Sequence, residues 1–407
     1  MTTPRPATLV VALALAMGCV WGSASASSAS SEWPQPLYDA GQTNRNPDES
    51  WLSPDDIQAL REVSTVDVPG EVTGFVVADH DLFVTWAVRS SGLVVGGGVA
   101  RVGLDGTPVW SRDDPCEFSE PAVIAGSLLY RSQQTMTCFG PPFPPVVAVD
   151  AVTGEDQRWS ESLWWFLPAR DSIFAATAIM DDRDGAMQTG LRAMDPVTGD
   201  PSWDLPIDPP NPTHYHPVAA DGSLFVRRYF DGVQAFDEQT GEERWSWDLV
   251  PGSGLLRPFA AADRRLFVER YTHGGDRTVR LVARETLTGD HLWTRWLDPN
   301  WQSSANELRQ ISVFPRAVVL SQDTSVQALD PATGSRLWHR ELFAPGLTGA
   351  GRFLFVGGTR ADGSRTTLVL QAATGRRVGR LDAITGQPIV AAGGVLWAEG
   401  STIHIWR

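Results

Sequence analysis

The 407-residue chain is 42% hydrophobic and 20% charged, enough apolar content to bury a large core, which excludes a disordered chain and a miniprotein held by disulfides alone. It contains no Lys, all 33 basic residues are Arg, and the formal charge of -15 excludes the basic field that a nucleic-acid partner requires. The 38 Gly and 29 Pro interrupt the chain too often for long helices, so composition points to an all-β fold.

The N-terminal stretch reads as an export signal. Leu9 to Met17 form a short apolar run behind Arg5, and Ala24, Ser25 and Ala26 offer small residues at cleavage spacing, so residues 1–26 are expected to be removed. The run is too short to span a bilayer as a mature helix. A second route competes, because Ala16 to Cys19 resembles a bacterial lipobox with Ala where Leu is usual. Cleavage before Cys19 would leave that residue as a lipidated N-terminus. Ser23 to Ser31 is Ser-rich and suits a flexible tether. Residues 27–60 are therefore assigned to the tether and a leading segment, and residues 61–407 to the folded repeat. Export places the chain outside the cytoplasm, where thiols oxidise. Cys116 and Cys138 lie 22 residues apart and are expected to form a local disulfide, the alternative being two unpaired buried thiols.

Internal repetition dominates the remainder. Ala193 to Trp203, Ala235 to Trp245, Ala283 to Trp293 and Ala328 to Trp338 each run Ala, an acid two residues on, Thr-Gly, then Trp four residues after the Gly. Ala148 to Trp159 is one residue longer, Gly103 to Trp110 is shortened, and Val369 to Gly379 lacks the Trp. The turn glycines fall at 106, 154, 199, 241, 289, 334 and 375, with spacings of 48, 45, 42, 48, 45 and 41. Gly supplies a positive φ, the acid accepts N–H bonds from the turn that it opens, and the indole packs against a small residue with its N–H free for a turn carbonyl. Trp110, Trp159, Trp203, Trp245, Trp293 and Trp338 are accordingly assigned as structural.

Between the turns the chain divides into four short strands, shown by Ser202 to Leu205, Tyr215 to Ala220, Ser223 to Arg228 and Gly232 to Asp237. Such a meander repeated around an axis is a β-propeller. Eight blades are expected between Glu62 and Trp406, with seven as the alternative count. The Trp-bearing strand is expected as the inner, first strand of a blade and the Thr-Gly turn as the connector between blades.

The Ala-x-Asp-x-x-Thr-Gly-x-x-x-Trp pattern resembles the tryptophan-docking motif of the PQQ-like, or quinoprotein alcohol dehydrogenase-like, β-propeller repeat family. The stretch Trp33 to Asn46 is similar to the segment that leads into many such propellers. This resemblance implies either a quinone- and Ca²⁺-dependent dehydrogenase or a non-enzymatic scaffold of the BamB-like branch. The dehydrogenases are expected to carry adjacent cysteines and long insertions between blades, and this sequence has neither. The reading is thus a non-catalytic, monomeric platform for a protein or cell-envelope component, with no assigned catalytic, cofactor or metal residue. A dehydrogenase and a carbohydrate-binding propeller are the alternatives.

Other motifs carry less. His214 and His216 share one side of a strand without a third metal ligand, and Asp181 to Gly185 lacks the bidentate Glu of a Ca²⁺ loop. Longer, irregular turns are expected at Ser111–Ser119, Ser132–Pro145, Leu163–Asp171, Asp208–Thr213 and Asp298–Arg309, all on one face of the ring. Recognition usually sits on such loops. Trp164, Trp165, Phe166 and Trp301 are the candidate interaction anchors within them.

Overall fold

Short apolar runs rich in Val, Leu, Phe and Ala, each stopped by a turn built on Gly, Asp or Ala, cannot extend into helices and instead pair with their neighbours. The computed structural model describes residues 32–407 apart from 50–51, 115–116, 134–144, 170–171, 181–186, 208–216, 229–231, 252, 273–277, 298–309, 323–324, 343, 345, 360–364, 383 and 385–386. Antiparallel four-stranded meanders follow one another in chain order. The first blade is Glu71–Ala78, Asp81–Ser90, Leu93–Gly103 and Pro108–Asp114. The second and third share one seven-stranded sheet, because Asp156–Ala169 pairs at its start with Pro145–Asp150 and at its end with Ser172–Met180. The fourth is Val218–Ala220, Ser223–Arg228, Gly232–Asp237 and Glu243–Asp248, and the fifth is Gly254–Ala262, Arg265–Thr272, Thr278–Glu285 and His291–Trp296. Gln310–Phe314, Ala317–Ser321, Ser325–Leu329 and Arg336–Glu341 form the sixth, and Gly346–Ala350, Phe353–Thr359, Arg365–Gln371 and Arg377–Leu381 the seventh.

The ring closes by exchange between the two ends of the chain. Ile389–Ala391, Gly394–Glu399 and Thr402–Trp406 supply three strands of the eighth blade, and Glu62–Asp67 adds the fourth, with Val66 opposite Ile403. The all-β, eight-bladed architecture is therefore as the spacing of the turns predicts. The one helix among the described residues is Pro54–Ala59, opened by a capping box in which Ser53 and Asp56 exchange bonds.

The assignment within a blade differs from the sequence expectation. First strands of successive blades meet around the axis, and the Thr-Gly turn is a hairpin inside a blade that joins its third strand to its fourth. The Trp-bearing strand is consequently outermost, as is Glu62–Asp67. An indole looked like an inner residue because it is apolar, but its burial comes sideways, from the next blade. Ala235 lies opposite Trp245 in the same blade, while the indole Nε1 of Trp245 donates to Thr286 O of the following one at 2.9 Å. Trp110, Trp203, Trp293 and Trp338 repeat this bond to Ala151, Glu238, Pro331 and Ala372 at 3.1, 3.0, 2.9 and 2.7 Å. The ring of Trp245 also lies on Gly289, where φ is +72° and a Cβ would sit 2.6 Å from Cδ2, so both backbone and contact demand Gly there. The side chain of Trp159 lies outside the described residues.

Leu163–Ala169 is also strand rather than loop. Leu163, Trp165 and Leu167 are all buried, because this stretch passes from the edge of one blade to the axial strand of the next and is covered on both faces. Similarly, 111–114 and 117–119 belong to strands. The apolar core is distributed: eight clusters of buried side chains occupy the eight seams, one each.

Among the described residues, two seams lack the docking indole of the fourth strand and use substitutes. In the seventh copy Gly379 stands opposite Val369, at the place of Trp, and the helix Pro54–Ala59 presses Ile57 into the gap. Leu52, Ile57 and Leu60 join Phe353, Val369, Leu381 and Trp397 in that seam. At the closure between the eighth and first blades, Ser64 Oγ donates to Leu104 O at 3.1 Å, taking over the bond that the indole makes elsewhere.

Candidate functional site

The leading segment is wound into the ring. Trp33 exchanges two backbone bonds with Val77 of the first blade at 2.7 and 2.9 Å, and Pro34 O accepts from Val123 N of the second at 2.7 Å. Ala40 packs against the seam between the third and fourth blades, and its carbonyl accepts from Ala219 N at 2.8 Å. Gly41, Thr43 and Asn44 carbonyls accept from Ala261, Val313 and Gly349 of the fifth, sixth and seventh blades at 2.8, 2.9 and 2.8 Å. Asn46 Nδ2 finally donates both to Val390 O of the eighth blade at 2.9 Å and to Glu32 O at 3.0 Å, so the segment meets its own beginning. Among the described residues, 32–46 thus form a closed circlet hydrogen-bonded to seven of the eight blades.

The contacts fall at the C-terminal ends of the axial strands, which puts the circlet on the face that carries the first turn and the Thr-Gly turn of each blade. Turning so tightly places Leu37, Tyr38, Gln42 and Asn44 at positive φ, a strain that the surrounding bonds hold in place. Asp39 braces the tightest bend, accepting from Thr43 N at 2.9 Å and Thr43 Oγ1 at 2.7 Å. Burial pushes its carboxyl up to about 6, against the pull of those bonds. Burial likewise raises the Tyr38 phenol and lowers the Arg45 guanidinium. Tyr38, Asp39, Ala219, Glu238 and Ala261 line a cavity of about 420 Å³ beside the circlet, and among the described residues no cation contributes to its wall. A larger cavity of about 620 Å³ lies at blades six and seven.

The opposite face carries the loops between second and third strands and the crossings between blades. Cys19, Cys116, Cys138, Trp301, His214, His216 and 181–185 lie outside the described residues. Trp165 is buried in the seam between blades three and four rather than standing in a loop, and Phe166 of the same strand is half-buried. Trp164 belongs to that strand too, and its side chain lies outside the described residues. Sequence reasoning missed the circlet residues Asp39, Asn44 and Asn46, and also Ile57. The signal for Ile57 was present as Ser53-Pro54-Asp55-Asp56, a helix start placed ahead of a repeat that lacks its Trp. Among the described residues no group of three or more His, Cys, Asp or Glu is placed to hold a metal ion.

Residues 187–405, just over half of the chain, match the family model described as outer membrane protein assembly factor BamB, of the PQQ-like repeat. No curated protein matches the sequence. The fold is similar to that of BamB from Moraxella catarrhalis, with a TM-score of 0.56 at 16% identity over 86% of this chain and 99% of that one. It is also similar to quinohemoprotein alcohol dehydrogenase from Comamonas testosteroni, with a TM-score of 0.60 at 13% identity over 92% and 80% of the two chains. The computationally designed Ika8 protein gives 0.58 at 14% identity over 85% and 99%.

Proposed function

Since the chain belongs to the PQQ-like repeat family described as outer membrane protein assembly factor BamB, we propose that it is an extracytoplasmic, non-catalytic propeller that holds another protein or envelope component. The circlet carries this reading. With one end of the axis occupied by the chain's own residues, the ring is a rigid plate whose other face presents the loops between second and third strands and between blades. Export, lipidation of Cys19, a disulfide between Cys116 and Cys138 and a monomeric state belong to the same proposal. A count of free thiols in protein from its native compartment tests the disulfide, and two free thiols refute it.

The binding reading is tested with a photo-crosslinking residue at one of two exposed positions: Leu93, which opens the third strand of the first blade just after its turn from the second, or Val197, in a Thr-Gly turn on the circlet face. Leu93 is expected to crosslink to one envelope component in the native compartment while Val197 does not. Crosslinks from Val197 alone would place the partner on the wrong face. Dye reduction with alcohols or sugars after incubation with the quinone and Ca²⁺ would replace this reading with a dehydrogenase.

A further inference from the structure

We propose that the cavity at blades six and seven binds a small molecule that carries an anionic head on an apolar body. Its volume of about 620 Å³ falls in the size class of ligand sites, roughly 300 to 1,000 Å³. Its wall is assembled from Arg45 and Pro47 of the leading segment, Phe314 to Ala317 in the first turn of the sixth blade, Gly351 and Arg352 in that of the seventh, and Gln371 to Ala373. Among the described residues three guanidinium groups line it and no carboxylate does, in a chain whose formal charge is -15.

Two of the three arginines are held over aromatic surface. Arg45 lies 5.4 Å from the Phe314 ring centre and donates from Nε to Gly351 O at 2.9 Å, and Arg352 lies 5.1 Å from the Phe353 ring centre. Asp263, Asp39 and Asp48 support the charge of Arg45 from outside the cavity, against the burial that opposes it. Arg316 and Arg352 have no carboxylate partner among the described residues. Guanidinium groups present planar forks that match carboxylate and phosphate oxygens, and Phe314, Ala317 and Ala372 supply an apolar surface beside them.

A second, independent observation comes from the repeat. At the position that opens the Thr-Gly turn, six copies carry an acid: Asp105, Asp150, Asp195, Asp237, Glu285 and Asp330. The seventh carries Gln371, and it is this turn that lines the cavity. Gln371 Oε1 still takes a turn bond, from Thr374 Oγ1 at 2.9 Å, so the geometry of the turn is kept while its negative charge is gone. Among the described residues, the cavity at blades four and five has the reverse character, with Asp39 and Glu238 and no cation. The positive wall at blades six and seven is therefore not shared by the cavity at blades four and five.

The test uses the full chain in titration calorimetry with phenyl phosphate, inorganic phosphate as head alone and benzyl alcohol as body alone. Phenyl phosphate is expected to bind about tenfold or more tightly than either fragment and to weaken with salt. The exposed double variant Arg316→Gln/Arg352→Gln should weaken it by about tenfold or more, while Arg264→Gln, on the first turn of the fifth blade, leaves it unchanged. Phosphatidylglycerol vesicles form a second arm. Sedimentation with them that the double variant abolishes identifies the anion as a lipid headgroup, and its absence beside phenyl phosphate binding identifies a free ligand. No phenyl phosphate binding at millimolar concentration, equal binding by the double variant, or equal binding of benzyl alcohol overturns the proposal.

Discussion

Ile57→Ala, combined with a change at Gly379, tests whether the short helix stands in for a missing indole. Ile57 is 1% exposed, and its truncation removes three buried carbons. At about 0.8 kcal/mol each these contribute about 2.4 kcal/mol of lost transfer energy, and the cavity left behind brings the cost to about 3 to 4 kcal/mol. Gly379→Ala acts on the same contact from the other side, because a Cβ there would sit 2.4 Å from Ile57 Cγ2, well inside contact distance. In the wild type that substitution pushes Ile57 out of its seat and costs about 1 to 3 kcal/mol. With Ala at position 57 the offending methyl is absent, and the new Cβ partly refills the space. The double variant should therefore be more stable than the sum of the single changes predicts, by about 1 to 3 kcal/mol in a denaturant cycle. Strict additivity, or an Ile57→Ala cost below about 0.5 kcal/mol, would show that the helix merely rests on the seventh blade.

Trp245→Ala should cost about 3 to 5 kcal/mol in chemical unfolding, and Trp245→Phe less, losing mainly the bond to Thr286 O; an unchanged midpoint for the Ala variant refutes the docking role. Asn46→Ala removes the donor to Val390 O and Glu32 O and should expose the leading segment to protease without changing the far-ultraviolet spectrum; unchanged cleavage at 32–46 would contradict the closed circlet. For Asp39 the folded carboxyl titrates at about 6 against 3.8 for the free group, so its contribution to stability is full below about pH 4 and is lost as pH rises through about 6. Relative to Asp39→Asn, the wild type should gain stability from pH 7.5 to pH 4.5, and a difference that does not move with pH refutes the buried setting of this group.

The repeat was legible because each of its positions is fixed by a local need. Gly241 must adopt positive φ, Asp237 must accept the N–H groups of Gln239 and Thr240, and Trp203 must find a small surface, so the pattern returns wherever the turn does. Which strand faces the axis was not legible, because an indole buried from the side and one buried from within leave the same mark in sequence. The same ambiguity hid the strand at Leu163–Ala169, where cover on both faces removes the alternation that marks a strand. The circlet was unreadable for a different reason. Its bonds run largely through backbone carbonyls to Ala219, Ala261 and Gly349, small residues that announce no partner, and the side chains that do take part, Gln42, Asn44, Arg45 and Asn46, reach backbone carbonyls that leave no mark in sequence.

A circular array stitched in this way imposes an order on its own assembly. Asn46 finds its acceptor 344 positions downstream, and Glu62–Asp67 has no neighbour to pair with until Thr402–Trp406 exists. A chain emerging N-terminus first therefore carries the strand Glu62–Asp67 and the side-chain amide of Asn46 without these partners until the eighth blade is made. They settle only in the last step, when loop-closure entropy across nearly the whole polypeptide has been overcome. Removing Thr402–Trp406 should then loosen Glu62–Asp67 as well.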